Sequence, residues 1–188
     1  MNAFEEYLFE RFAQEMRSWP LALARDIYVL SILISFVDDD VRSPELSLCF
    51  NTESNWQKNI FHASSEAEAR WNTAFWLHDA GVTVCRQPYM NDSFTTFDEV
   101  DLRGVGLRDA FLTLRAPRGE GEVLGALFDA CLVVTKRLHD DGVVLETCGR
   151  AVPVVWECTN DFGEEPGRLE RMRRANLPLS LSDYENWM

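Results

Sequence analysis

One run of eleven residues constrains the fold of this chain more than any other feature. Residues 27–37 read IYVLSILISFV, which is almost wholly apolar and rich in β-branched and aromatic side chains. Alternate residues of a strand lie on opposite faces, and only Ser31 and Ser35 interrupt the apolar character here. The run is therefore typical of a central strand that is covered on most of both faces. It is too short to span a bilayer.

The residues that follow predict a hairpin. Residues 38–44 (DDDVRSP) form a polar loop, and residues 46–50 (LSLCF) alternate as a second strand. This connection is shorter than the dozen or so residues that a crossover between parallel strands needs. We expect two antiparallel strands joined by an acidic loop.

Helices are expected on either side of the hairpin. Apolar residues recur at helical spacing over 3–17 and again over 121–139. The clearest pattern covers 64–80, where Ser65 and Glu68 have capping-box spacing and Gly81 has the position of a helix-terminating glycine.

The rest of the chain predicts shorter elements. We expect a strand over 82–85, a long exposed loop over 86–103, and a helix within 105–115. Strands are expected over 143–147 and 151–158, with Pro153 favouring an edge position. A last helix is expected from Pro166 to about Ala175, with Asn176 as its stop, followed by an apolar tail that docks on the fold. Together these elements predict a single α+β domain over residues 1–188, with an antiparallel or mixed sheet of about four strands and helices packed on it.

The net charge of the chain indicates which classes of partner to expect. The sequence has 18 Lys and Arg against 31 Asp and Glu, a net charge of −13. Such an excess repels nucleic-acid phosphates and anionic lipid, so we expect neither nucleic acid nor membrane as a partner. A basic protein is the natural complement.

The cysteines and the first residues point to the cytoplasm. Residues 1–6 (MNAFEE) lack the basic and apolar regions of a secretory signal. The cysteines are odd in number, widely spaced and without a CxxC pair, which favours reduced, buried thiols over disulfides. They are Cys49, Cys85, Cys131, Cys148 and Cys158.

No sequence motif assigns a chemistry to the chain. It has no nucleophile elbow, phosphate loop, complete dinucleotide-binding glycine motif or zinc-protease helix, and we expect no cofactor, metal or catalytic residue. A zinc site would need ligands from distant segments, for instance Cys85, Cys148 and Cys158 with a histidine. A small enzyme remains an alternative, with Glu53, Glu68 or His78 as its acid or base.

Two acidic clusters and two tryptophans are the candidate binding residues. The loop Asp38, Asp39 and Asp40 is interpreted as a solvated hairpin loop, a docking patch for a basic protein, or a site for Ca²⁺ or Mg²⁺. The second cluster either stabilises the start of the last helix or forms an interaction surface. It consists of Glu157, Asp161, Glu164 and Glu165.

Tryptophan is enriched at binding hot spots, so two of the six tryptophans are candidate anchors. Trp71 lies on the apolar stripe of the expected helix and is assigned to the core. Trp76 lies on the opposite flank, where it either packs on a second layer or is exposed as an anchor. Trp56 is the other candidate.

Three segments resemble small acidic bacterial immunity proteins, which are encoded beside polymorphic or contact-dependent toxins. The resemblance covers about a third of the chain and is carried by 38–57, 64–79 and 151–178. Its shared elements are Asn51-Thr52-Glu53 after a strand, the Glu68–Asn72 helix, and the strand Val152–Val155 followed by an acidic residue. The resemblance implies cytosolic occlusion of a cognate toxin's active site, and it assigns no functional residue. A housekeeping or structural interaction protein, including a homo-oligomer, is the alternative.

Overall fold

The computed structural model describes residues 2–36, 44–85, 120–158, 167–177 and 181–187, with the backbone alone for 78–85 and 120–123. The order of elements is α1 (Ala3–Ser18), α2 (Leu21–Asp26), β1 (Ile27–Phe36), β2 (Pro44–Thr52), α3 (Glu53–Asn59), α4 (Glu66–Trp71), a 3₁₀ turn (Thr73–Phe75), β3 (Leu77–Cys85), α5 (Glu120–Asp140), α6 (Val143–Cys148), β4 (Val154–Cys158), α7 (Arg168–Ala175) and α8 (Ser182–Trp187). The predicted α+β class is confirmed.

The sheet is mixed, with the strand order β3-β2-β1-β4. The predicted hairpin is confirmed, because β1 and β2 are antiparallel, with Leu30 opposite Phe50. Strand β4 lies parallel to β1 at the other side, with Leu30 opposite Val154. The apolar run that predicted a central strand therefore forms one, and Pro153 precedes an edge strand as expected.

Two long helices provide much of the core. Helix α1 begins with a capping box between Asn2 and Glu5, and it buries the predicted stripe that includes Phe4, Leu8 and Phe12. Helix α5 packs against both α1 and α7. The ring of Trp156, fully buried on β4, stacks near Phe128 of α5 and donates from Nε1 to Thr135 at 3.1 Å.

The helix expected over 64–80 is wrong beyond its first turns. The Ser65 cap is present, since its hydroxyl accepts from the Glu68 amide at 3.1 Å, but the helix ends at Trp71. The side chain of Asn72 accepts from the Ala74 amide at 3.0 Å and so redirects the chain into a 3₁₀ turn. Gly81 lies within strand β3 and ends no helix, because the segment pairs with β2.

The strand expected over 143–147 is a short helix instead. Gly142 and Gly149 both have left-handed backbone angles, with φ of 76° and 73°, and they bound α6 at its two ends. Val143, Val144 and Cys148 are buried on one side of this helix. Tertiary packing therefore overrides the β preference of two adjacent valines.

Among the described elements, side chains of α7 cover the edge of β4 that faces away from β1. The Val154 amide donates to Asn176 Oδ1 at 2.7 Å, and Asn176 Nδ2 donates back to the Val154 carbonyl at 2.9 Å. Two residues further on, the Trp156 amide meets the sulfur of Met172 at 3.2 Å, and Arg168 donates to the Trp156 carbonyl at 3.2 Å. Helix α7 thus satisfies the outward backbone groups of an edge strand, and Asn176 ends it as predicted.

The C-terminal tail docks as expected. Helix α8 follows Leu181, and both Leu181 and Tyr184 are buried. The Tyr184 ring makes an edge contact with Trp71 of α4, with centroids 5.7 Å apart. Part of the end of the chain therefore belongs to the core that surrounds α4.

Candidate functional site

Two of the three elements that carry the resemblance, Asn51-Thr52-Glu53 and Glu68–Asn72, meet at one end of the sheet. Glu53 is the first residue of α3, and Arg70 lies in the last turn of α4. Arg70 donates to both Glu53 oxygens, at 2.8 and 3.0 Å, in a bidentate ion pair. The Arg70 guanidinium also lies over the rings of Tyr28 and Trp56, 4.1 and 4.5 Å from their centroids. These contacts fix α3 and α4 to each other.

Asn51 completes this network from inside the protein. Its side chain is fully buried and donates to the Tyr28 hydroxyl at 2.8 Å. Its Oδ1 accepts from the Thr52 amide at 2.9 Å and from the Asn55 side chain at 2.8 Å. The Tyr28 hydroxyl in turn donates to the Arg70 carbonyl. Burial raises the pKa of Tyr28 well above its ordinary value, so the phenol stays protonated and keeps this donor.

Hydrogen bonds keep the two carboxylates of this region charged. The Arg70 hydrogen bonds, with a smaller contribution from Arg150, lower the pKa of Glu53 against the opposing effect of burial. Glu68 accepts from both the amide and the hydroxyl of Ser64 at 2.6 Å, and these bonds lower its pKa. Both side chains that sequence reasoning considered as an acid or base therefore serve as hydrogen-bond acceptors in the fold. The side chain of the third, His78, lies outside the described part.

The loop between α3 and α4 carries the most exposed large apolar side chain in the described residues. Phe61 is 89% exposed. Its loop is held at both ends, because Trp56 Nε1 donates to the Glu66 carbonyl at 3.2 Å and Glu68 binds Ser64. The His62 amide adds a turn hydrogen bond to the Asn59 carbonyl at 2.9 Å. These hydrogen bonds therefore fix the loop that carries the exposed phenylalanine.

Sequence reasoning missed Phe61 because it considered only tryptophans as anchors. A signal was present, since Phe61 belongs to none of the apolar stripes that the sequence predicts for the helices. A large apolar residue that fits no stripe has no predicted place in the core.

The tryptophans predicted as anchors have different positions. Trp76 is wrong as an anchor, because it is only 6% exposed and its Nε1 donates to the Arg70 carbonyl at 3.0 Å. Its ring packs in the core, which agrees with the packed alternative given for this residue and not with the exposed one. Trp56 is partly buried, and Arg70 covers one face of its ring. Trp71 lies in the core as expected.

Of the predicted acidic residues, the structure describes one. Glu157 lies in β4, partly exposed, and accepts from the Tyr184 hydroxyl at 3.1 Å. It therefore helps to hold α8. The other acidic candidates lie outside the described residues, and they are Asp38, Asp39, Asp40, Asp161, Glu164 and Glu165.

The buried thiols are confirmed for three cysteines. Cys49, Cys131 and Cys148 are buried, and Cys158 is partly buried. Burial raises the pKa of Cys131 to about 12 and that of Cys49 to about 11, so these thiols stay protonated at neutral pH. Within the described ranges, no group of three or more His, Cys, Asp or Glu is arranged to hold a metal ion. Of the zinc ligands considered above, the side chain of Cys85 is not described.

Comparison with protein-family models, curated proteins and solved structures finds no match to this chain. Among the described residues, every helix is either too short or too polar to cross a bilayer.

Proposed function

We propose that this protein is a bacterial immunity protein, which binds a cognate basic toxin in the cytoplasm and covers the toxin's active site. The resemblance supports this proposal through two of its shared elements, Asn51-Thr52-Glu53 and Glu68–Asn72. These two elements are separate segments of the sequence, yet their side chains form one hydrogen-bonded network. The network fixes α3 and α4 to each other and thereby restrains the loop that joins them.

The observation that carries the proposal is Phe61. Leaving a phenylalanine 89% exposed gains nothing for the folded monomer, because apolar surface is stabilised by leaving water. On a rigid loop, the same side chain loses little conformational freedom on binding. Buried aromatic anchors of this kind supply much of the affinity of protein complexes.

The net charge of −13 supports the choice of partner. A strongly acidic protein attracts a basic one over distances of about 10 Å at moderate ionic strength, and this attraction speeds their encounter. Charge thus favours rapid association, while the apolar contact slows dissociation. An inhibitor that must reach its toxin before the toxin reaches its substrate benefits from both.

Growth rescue tests the proposal directly. The product of the neighbouring reading frame is expressed in a laboratory bacterium with and without this protein. We expect the neighbour to stop growth and this protein to restore it. A harmless neighbour, or toxicity that this protein leaves unchanged, would contradict the immunity function and favour a housekeeping interaction protein.

Phe61→Ala tests the anchor with the purified pair. We expect binding of the toxin to weaken by about 30-fold or more, the effect of losing a hot-spot side chain. Leu145→Ala is the matched control, since Leu145 is 57% exposed on α6. Both variants should keep the thermal stability of the wild type because both side chains are exposed. Equal affinities for Phe61→Ala and wild type would exclude the loop as the contact.

A further inference from the structure

A continuous series of side-chain contacts joins the C-terminal helix α8 to the loop that carries Phe61. The Tyr184 ring of α8 makes an edge contact with Trp71, with centroids 5.7 Å apart. Trp71 makes a second edge contact with Tyr28, with centroids 5.5 Å apart. The Arg70 guanidinium lies over the Tyr28 ring, 4.1 Å from its centroid. The three aromatic residues are each no more than 5% exposed, so this half of the series belongs to the core.

The other half of the series reaches the loop itself, residues 60–65. The Arg70 guanidinium also lies over the Trp56 ring, 4.5 Å from its centroid. Trp56 Nε1 donates at 3.2 Å to the carbonyl of Glu66, where the loop ends and α4 begins. The contacts therefore run from α8 to a hydrogen bond that fixes one end of the loop. The aromatic series consists of Tyr184, Trp71, Tyr28, Arg70 and Trp56.

Helix α8 depends on Tyr184 for its place on the fold. A helix of six residues is not stable in water by itself. Within Ser182–Trp187 only Tyr184 is buried, and its hydroxyl donates to Glu157 of β4 at 3.1 Å. Arg173 of α7 donates to Glu185 at 2.8 Å, but the Arg173 side chain is 50% exposed and such ion pairs contribute little stability. Within the helix, the buried ring of Tyr184 is therefore the main contact.

We propose that α8 is a positioning element for the Phe61 loop, and that the contact of Tyr184 with Trp71 keeps this loop ordered. Trp71 is the last residue of α4 and follows Arg70 directly. Removing the Tyr184 ring leaves a cavity beside Trp71, and close-packed surroundings relax toward such a cavity. A shift of Trp71 moves Arg70 with it and disturbs the contact with Trp56. The effect on toxin binding rests on the proposed function, whereas the effect on the loop does not.

NMR spectra of the full chain test this coupling without a partner. One readout is hydrogen exchange of the Trp56 indole N–H, and the other is backbone relaxation of the His62 amide, which donates to the Asn59 carbonyl. In Tyr184→Ala we expect the indole N–H to exchange about tenfold faster or more, the size of coupling between linked residues, and the His62 amide to lose order. Tyr184→Phe keeps the ring and loses only the bond to Glu157, so its loop should match that of the wild type.

Leu127→Ala is the matched control, because Leu127 is a fully buried residue of α5 outside the aromatic series and its truncation destabilises the protein. Exchange in each variant is compared with its free energy of unfolding, measured in urea. Equal acceleration by Leu127→Ala and Tyr184→Ala at equal loss of stability, or wild-type exchange in Tyr184→Ala, would overturn the inference. If Tyr184→Ala does not fold, Tyr184→Leu, which keeps an apolar side chain but removes the ring, is judged by the same outcomes.

Toxin binding by the same variants separates this inference from the proposed function. A loosened loop and a weaker complex in Tyr184→Ala support both. A loosened loop with unchanged affinity for the toxin keeps the positioning role of α8 and contradicts Phe61 as the anchor. An unchanged loop overturns the positioning role and leaves the anchor in place.

Discussion

Replacing Asn176 with alanine removes the side chain that closes the edge of β4. The Val154 amide and carbonyl both lose their partner, and Val154 is fully buried. Each buried backbone group left without a hydrogen bond costs about 1–3 kcal/mol, so the variant should lose about 2–6 kcal/mol of its free energy of unfolding. The Met172 carbonyl loses a further bond from the same amide, 2.9 Å long. Domains are stable by only about 5–15 kcal/mol, which makes this a severe change.

Urea unfolding followed by tryptophan fluorescence measures the effect, because Trp156 is buried two residues along the same strand. Leu177→Ala is the matched control, since Leu177 follows Asn176 and is 43% exposed. We expect the control to change stability by less than about 0.5 kcal/mol. If Asn176→Ala is as stable as the control, then the side chain does not satisfy the strand edge and the reasoning is refuted.

Three further predictions concern the stability of the folded protein. Trp76→Ala should lower the free energy of unfolding by about 3–5 kcal/mol, measured by urea, whereas an exposed anchor would change it little. Arg70→Met should cost about 1.5–3 kcal/mol for its bonds to Glu53, and a double-mutant cycle with Glu53→Gln should show coupling between the two sites. Burial lowers the pKa of His139 below its ordinary 6.5, so the unfolded chain takes up the proton first. Its contribution to stability is complete above that pH and declines as the pH falls, and His139→Gln should reduce this decline in urea unfolding measured at several pH values.

The sequence predicted the β1–β2 hairpin well because its signals there are local. The run from Ile27 carries its own strand preference, and the short connection to residue 46 leaves only a hairpin. The two long helices were also predicted correctly, since the apolar stripes of α1 and α5 repeat over several turns. Patterns of this length outweigh the preference of any single residue.

The errors occurred where distant contacts decide a short segment. Over 64–80 the helical pattern competes with pairing to β2, and Asn72 ends the helix with a side-chain hydrogen bond. Over 143–147 the valines favour a strand, yet two left-handed glycines confine them to a helix that packs against α1 and α2. No window of neighbouring residues contains these contacts.

The candidate site was only partly accessible to sequence reasoning. Asn51, Glu53 and the Glu68–Asn72 helix were singled out through the resemblance, but nothing in their order along the chain indicates that Arg70 binds Glu53. The high exposure of the Phe61 side chain depends on how the described elements pack, and the order of residues along the chain does not show that packing.

The parallel pairing of β1 with β4 has a consequence for how the chain folds. Strand β1 pairs with one neighbour through the short hairpin connection, but its other neighbour, Val154–Cys158, is more than a hundred residues further along the chain. Closing so long a loop is entropically costly, and folds dominated by distant pairings form slowly. During synthesis, one side of this apolar strand stays unpaired with β4 until the ribosome has reached Val154–Cys158. We expect folding intermediates of this chain to be prone to aggregation, and a chaperone that binds extended apolar segments should protect them.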